Sequence, residues 1–253
     1  MDLAIDGKRA LVTGASSGIG RGIAHALAAE GVRLAICGRD PTRLGLVAAE
    51  LRGLRGGEPA VVAADLGRPG GVETAATAAR AALGGIDILV NNAGGSRPLP
   101  QGASEEFWDE AFALNFTAAR RLTEALLPDM RQGRWGRVIN ITGAIAQKTV
   151  NAATPAKVAL LSWSRALAGE VARDGITVNC IAPGRINSAQ ILERLYPTDE
   201  ARQRFAAENI PMGRFGEPSE LAALAAFLAS PLAGYITAAS IPVDGGMYRL
   251  DLR

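Results

Sequence analysis

The sequence predicts an α/β protein: one doubly wound parallel sheet of about seven strands with helices on both faces. Three observations carry the prediction. Apolar runs rich in Val, Ile and Leu alternate with helix-period patterns along the 253 residues. No internal repeat or low-complexity linker divides the chain, so 1–253 reads as a single domain. The first apolar run breaks into Thr13-Gly14-Ala15-Ser16-Ser17-Gly18-Ile19-Gly20, where a strand turns tightly into a helix. Strands separated by helices pair in parallel and need cover on both faces.

The strand-like runs lie near 8–13, 32–37, 59–64, 86–90, 136–142, 176–181 and 239–243. Between the first two, Ile19, Ile23 and Leu27 recur at helical spacing, with Gly31 as a stop. Asp40-Pro41 reads as an N-cap followed by proline at the first helical position. Ser104 before Glu105 and Glu106 opens a helix that runs to about 131. Thr154-Pro155 reads the same way as Asp40-Pro41, which starts a helix just after 153 and carries it to about 172. Pro218 opens a helix bearing Leu221, Leu224, Ala225 and Leu228. The helices near 105–131 and 155–172 are apolar around most of their surface. One sheet needs only one apolar stripe per helix, so the surplus predicts a homo-oligomer, a dimer or tetramer. The competing reading is a thick Ala-rich core.

Composition narrows the function. The chain is 48% apolar and 21% charged with a net charge of +2, an ordinary globular balance that implies neither a nucleic-acid nor a membrane partner. Cys37 and Cys180 each sit in a strand-like run without metal-ligand spacing. They read as buried thiols in a reducing cytoplasm, and no metal site is expected. The N-terminal residues lack a basic region followed by an apolar core, so no signal peptide is expected.

Parallel sheets bind ligands outside the carboxyl ends of their strands, where the strand order reverses. The glycine turn lies at such an end. Gly14, Gly18 and Gly20 allow close backbone approach, and the following helix N-terminus offers free N–H groups to a pyrophosphate. Ser16, Ser17 and Ile19 belong to the same turn. Arg39 ends the second strand, where an arginine suits a 2′-phosphate and a carboxylate would suit a 2′-hydroxyl. That favours NADP over NAD; the simpler reading is a solvated arginine beside Asp40. Asp65, followed by Leu66, ends the third strand and either accepts a bond from an adenine amino group or forms a turn. Asn91, Ala93 and Gly94 end the fourth, where small residues let a ribose lie against the backbone.

Taken in order, Thr13-Gly14, Gly18, Gly20, Asp65, Asn91-Asn92-Ala93-Gly94, Asn115, Pro183-Gly184 and Val243-Asp244-Gly245-Gly246 span almost the whole chain. This pattern resembles the short-chain dehydrogenase/reductase family, near its 3-oxoacyl-(acyl carrier protein) reductase-like members. The resemblance implies a Rossmann-like domain, a nicotinamide cofactor, a small-molecule or carrier-bound carbonyl substrate and usually a tetramer. It places the dinucleotide part at about 8–142 and the catalytic and substrate part at about 143–253. It implies a catalytic Asn, Ser, Tyr and Lys, the Tyr giving a proton to the carbonyl. Asn115 and Lys157 match. Ala153 stands at the Tyr position, and Gly143 at the Ser position unless Thr142 serves instead. Pro183, Gly184, Ile186 and Ser188 match the segment that meets the nicotinamide. A lid over about 188–215 follows, carrying Gln190, Arg194, Tyr196, Arg202, Arg204 and Phe205.

Hydride transfer to a carbonyl builds charge on oxygen and needs a donor aimed there. Lys148, Asn151, Tyr196 and Lys157 are the substitutes in view. Arg185 either faces an acidic substrate or sits in solvent, and the lone His25 reads as a surface helix residue. The expectation is therefore an NADP-dependent oxidoreductase with an atypical active site. A cofactor-binding protein without turnover and a non-redox dehydratase or isomerase are the alternatives.

Overall fold

The computed structural model describes residues 2–143, 150–188 and 190–247, apart from the side chains at 190, 193 and 194. Seven strands appear among them: β1 (Arg9–Thr13), β2 (Arg33–Gly38), β3 (Ala60–Ala63), β4 (Ile88–Asn91), β5 (Gly136–Ile141), β6 (Ile176–Pro183) and β7 (Ser240–Val243). All pair in parallel, in the order β3-β2-β1-β4-β5-β6-β7. The helices are α1 (Gly18–Ala29), α2 (Pro41–Leu51), α3 (Gly71–Leu83), α4 (Glu105–Phe112), α5 (Ala118–Gln132), α6 (Ala153–Val171), α7 (Asp199–Asn209) and α8 (Pro218–Leu228).

Two cores explain the layers. On one face Ile23 and Leu27 of α1, Leu44 and Leu51 of α2 and Leu221 and Leu228 of α8 pack on Val12, Ile36 and Val90. On the other, Val72 of α3, Leu122 and Leu126 of α5 and Leu167 and Val171 of α6 pack on Leu11, Leu89 and Val178. The strands between the two edges, β2, β1, β4, β5 and β6, are thus buried on both sides, which is why they read as unbroken apolar runs, while the edge strands β3 and β7 stay partly exposed. Asp40 caps α2 as its sequence promised, accepting from Thr42 N at 2.9 Å and Arg43 N at 3.1 Å. Cys37 and Cys180 are buried and free, and burial pushes the Cys37 thiol up to about 12.

The order reverses after β3, so β4 returns to pair with β1 on the side away from β2. Thr13 and Asn92 lock this switch point. Thr13 Oγ1 donates to Val90 O at 3.1 Å and accepts from Asn92 N and Ala93 N at 3.0 Å. Asn92 Nδ2 donates back to Thr13 O and Gly14 O at 3.0 and 3.1 Å.

Two helix boundaries differ from the sequence reading. The pattern near 105–131 is two helices joined by a π-type turn, Ala113–Thr117. The extra residue in that turn brings Asn115 inward, 2% exposed, a detail that hydrophobic period does not encode. Helix α6 begins at Ala153, not after it. Its start is set by Asn151, whose Oδ1 accepts from Ala153 N at 3.0 Å, so Thr154 and Pro155 lie inside the first turn, where a missing N–H costs nothing.

Candidate functional site

A cleft of about 630 Å³ opens along the carboxyl ends of the strands. Its walls are the turn after β1, the ends of β2 to β6, the start of α6 and the segment that follows β6. Gly14, Ser16, Ser17, Gly18, Ile19, Arg39, Asp65, Leu66, Ala93, Gly94, Thr142, Lys157, Pro183, Gly184, Ile186 and Ser188 all line it.

The turn after β1 fits a diphosphate. Gly14 and Gly18 hold φ of +64° and +53°, and a Cβ on Gly18 would come within 2.9 Å of Ser188 Cβ. Helix α1 starts with no side-chain cap from Ser17 and no acid in its first turn, so its first N–H groups stay free for an anion. Gly20 lies behind the cradle: a Cβ there would meet Gly14 O at 2.2 Å, so it shapes the turn without lining the cleft. Arg39 pairs with no carboxylate among the described residues, because its neighbour Asp40 is spent on the α2 cap. Asp65 Oδ1 accepts from Gly67 N at 3.0 Å and still faces the cleft.

Asn91 departs from the sequence reading. Its side chain points away from the cleft into the α5–α6 side of the sheet, 4% exposed. Its Nδ2 donates to Asn140 Oδ1 at 2.8 Å and to Thr123 Oγ1 at 3.0 Å. Asn140 Nδ2 continues the chain to Ser164 Oγ at 2.8 Å. Asn91 therefore braces β4, β5, α5 and α6, and Asn92 is the neighbour that meets the cleft.

At the other end, Lys157 rises from α6, its Nζ donating to Ile141 O at 2.8 Å. Burial, opposed by the smaller effect of Cys180, holds its ammonium pKa down at about 8. Asn115 is fixed by its Nδ2 donating to Ala111 O at 2.9 Å and its Oδ1 accepting from Gly95 N at 3.0 Å. A Cβ on Gly94 would lie 2.8 Å from Asn115 Oδ1 and 3.1 Å from Lys157 Nζ, so glycine is what lets these two groups converge. Thr142 is 5% exposed, and its hydroxyl donates to Ile181 O at 3.2 Å, which commits its proton to β6. Ala153, 5% exposed, lines the cleft one helical turn before Lys157. A Cβ on Gly143 would sit 3.8 Å from Lys157 Cδ, an ordinary contact, so a larger side chain has room.

Asn151 is engaged rather than free. Its Oδ1 also accepts from Arg97 N at 3.0 Å, and its Nδ2 donates to Ser96 Oγ at 2.7 Å. Lys148 and the side chains of Gln190 and Arg194 lie outside the described residues. The segment after β6 carries its own apolar cluster of Ile191, Ala206, Ile210 and Phe215, with Tyr196 and Phe205 packed against it. His25 lies on the surface of α1, with Nε2 3.0 Å from Glu50 Oε2. Sequence reasoning missed Asn92, Gly95, Ser96 and Leu114 as cleft residues. A strand's alternation would have found Asn92, since adjacent residues at its end face opposite ways.

A family model described as enoyl-(acyl carrier protein) reductase matches residues 14–248. The 3-oxoacyl-[acyl-carrier-protein] reductase FabG of Vibrio cholerae is 38% identical over 251 residues, covering 97% of this chain and 99% of that protein. The D-beta-hydroxybutyrate dehydrogenase of Cupriavidus necator is 35% identical over 260 residues, covering 96% and 98%. Among solved structures, L-sorbose reductase from Gluconobacter frateurii, in complex with NADPH and L-sorbose, superposes with a TM-score of 0.92 at 36% identity, covering 98% and 99%.

Proposed function

The chain belongs to the short-chain dehydrogenase/reductase family of oxidoreductases, and from that premise we propose that it interconverts a carbonyl and an alcohol with NADP(H), Lys157 standing in for the usual tyrosine as proton donor. One observation carries the proposal. Lys157 places an ammonium of pKa about 8 in the cleft, beside two positions, Ala153 and Gly143, that offer no polar side chain.

The cofactor, when bound, supplies or accepts the hydride. The glycine turn, with Gly14, Ser16, Ser17, Gly18 and Ile19 lining the cleft and Gly20 shaping it from behind, would hold its diphosphate through main-chain N–H groups. Arg39 would hold the 2′-phosphate, and Asp65 and Leu66 the adenine. Ala93, Gly94 and Lys157 would hold the nicotinamide ribose, and Pro183, Gly184, Ile186 and Ser188 the carboxamide. In reduction the carbonyl oxygen gains a negative charge and must take a proton. Lys157 Nζ gives that proton, directly or through solvent, and its bond to Ile141 O keeps the group aimed. The relatives described above are named as reductases and a dehydrogenase, which favours turnover over a silent binding role.

The decisive experiment follows NADPH consumption over a panel of carbonyl compounds. The wild-type rate is expected to fall as pH rises past about 8, as Lys157 loses its proton. Ala153→Tyr, alone or with Gly143→Ser, is expected to raise the rate by about 10²-fold or more, the usual worth of a positioned acid. A flat pH profile together with an unchanged Ala153→Tyr rate would refute the role of Lys157. Binding of NADPH with no reduction of any carbonyl would favour the non-catalytic alternative. We further propose a homo-oligomer through the α4–α6 side, where Val158 is exposed and Phe116 and Trp163 are half-buried. The buried free thiols support a reducing compartment, the cytoplasm. No helix among the described residues is long and apolar enough to cross a membrane.

A further inference from the structure

The arginines that follow β6 are not alike. Arg202 pairs with Asp199 and donates to Tyr196 O at 2.6 Å. Arg214 grips Glu220 with two bonds of 2.7 Å. Arg204 is exposed to solvent. Arg185 lines the cleft, pairs with no carboxylate among the described residues, and buries its Nε without a hydrogen-bond partner. Its guanidinium lies over two rings, 5.2 Å from the centre of Phe205 and 5.7 Å from that of Tyr196. Those rings belong to a cluster with Phe215, at centroid separations of 4.8, 5.5 and 5.9 Å. Ring faces offset part of the cost of burying a cation, but they accept nothing from the in-plane N–H groups. A buried charged donor without an acceptor is costly unless a ligand completes it.

Position separates this group from the cofactor's 2′-phosphate. Arg39 follows β2 and Arg185 follows β6, four strand steps apart across β1, β4 and β5. At about 4.8 Å per step that is roughly 19 Å. Arg185 stands at the end of the cleft that holds Lys157 and Thr142.

We propose that Arg185 receives the carboxylate of the substrate, which makes the substrate an oxo acid (or, in reverse, a hydroxy acid) and not a neutral ketone or sugar. The inference rests on the carbonyl-reducing reading of the cleft. A planar guanidinium matches a carboxylate with two parallel N–H···O bonds, and a single positive charge balances a single negative one. The Phe205 and Tyr196 rings hold the cation at this end of the cleft before the ligand arrives.

Two measurements test this. The first compares NADPH-dependent reduction of 2- and 3-oxo acids with that of their methyl esters. Wild type is expected to favour the acids, and Arg185→Met, which keeps the apolar stem, to lose about 10²–10³-fold in kcat/KM on acids, mostly through KM. Its activity on esters and its NADPH affinity, followed by fluorescence titration, should not change. Arg185→Lys is expected to recover part of the loss. The second titrates the same acids calorimetrically into the protein, with and without NADP, so that Arg185 is judged even if no carbonyl is turned over. Absence of turnover with Arg185-dependent acid binding would sink the reaction assigned above and uphold the anion site. Equal use of acids and esters by wild type would overturn the anion site. So would equal losses on both in Arg185→Met, or a loss of NADPH affinity. Arg185→Gln, which retains two N–H donors without the charge, repeats the comparison if Arg185→Met does not fold.

Discussion

Lys157 shows how far one residue can be read. Its spacing to Ala153 and its place before the Ala159-Leu160 run were legible in the chain, but the depression of its pKa to about 8 was not, because burial is a property of the assembled cleft. That depression has a thermodynamic signature. Below pH 8 both folded and unfolded chains hold the proton, and the folded protein bears the full cost of the desolvated ammonium. Between about 8 and 10.5 the folded state sheds the proton while the unfolded state keeps it, so this group's contribution to stability rises with pH. Lys157→Met should remove a rise of about 2–4 kcal/mol across that window. Urea unfolding of wild type and variant in the cofactor-free state, at pH 7 to 10.5, reads the difference. A difference that does not change with pH would reject the assignment. Asn91 is the opposite case: its type and its place at a strand end pointed to the cofactor, yet the parity of β4 turned it inward. Arg39 and Asp65 lie where the strand ends put them, because each follows its strand directly.

At the scale of elements, the strands were legible to within two residues or so, since each is an apolar run and the five inner ones are buried on both faces. Helix ends were less so. The π-type turn before α5 and the Asn151 start of α6 arise from side chains that find partners far away in sequence, as Asn151 does with Ser96 and Arg97. The same kind of distant pairing ties α5, which follows the turn that carries Asn115, and α6, which carries Lys157, to the sheet. Asn91, Thr123, Asn140 and Ser164 form one buried chain of hydrogen bonds joining α5, β4, β5 and α6. Asn140→Ala leaves both Asn91 and Ser164 short of a partner and should cost about 2–4 kcal/mol, read as a fall in Tm of roughly 4–16 °C. Adding Asn91→Ala should cost less than the two single losses combined, because the second change removes a group already stranded. Strict additivity would mean the chain is not acting as a unit.

For the whole molecule, the glycine turn, the alternation of strands with helices and the ordered motifs were sufficient to reach the sheet and its family. The sheet order, the inward turn of Asn91 and the isolated Arg185 needed three dimensions. The surplus apolar surface of α6 bears on assembly. The protein should sediment as a dimer or tetramer at micromolar concentration, and Val158→Asp should shift it toward the monomer, since a charge on an exposed apolar position opposes burial in a contact between copies. A wild-type monomer in sedimentation velocity would end that expectation.

The lock between Thr13 and Asn92 has a consequence for how a dinucleotide arrives. The mouth between β1 and β4 is braced by five bonds that are internal to the polypeptide, so docking there would order little chain. Capture would then be set by diffusion and by the charge of the visitor rather than by a slow rearrangement of its host. Its speed should respond to ionic strength while remaining nearly indifferent to anything that stiffens the fold.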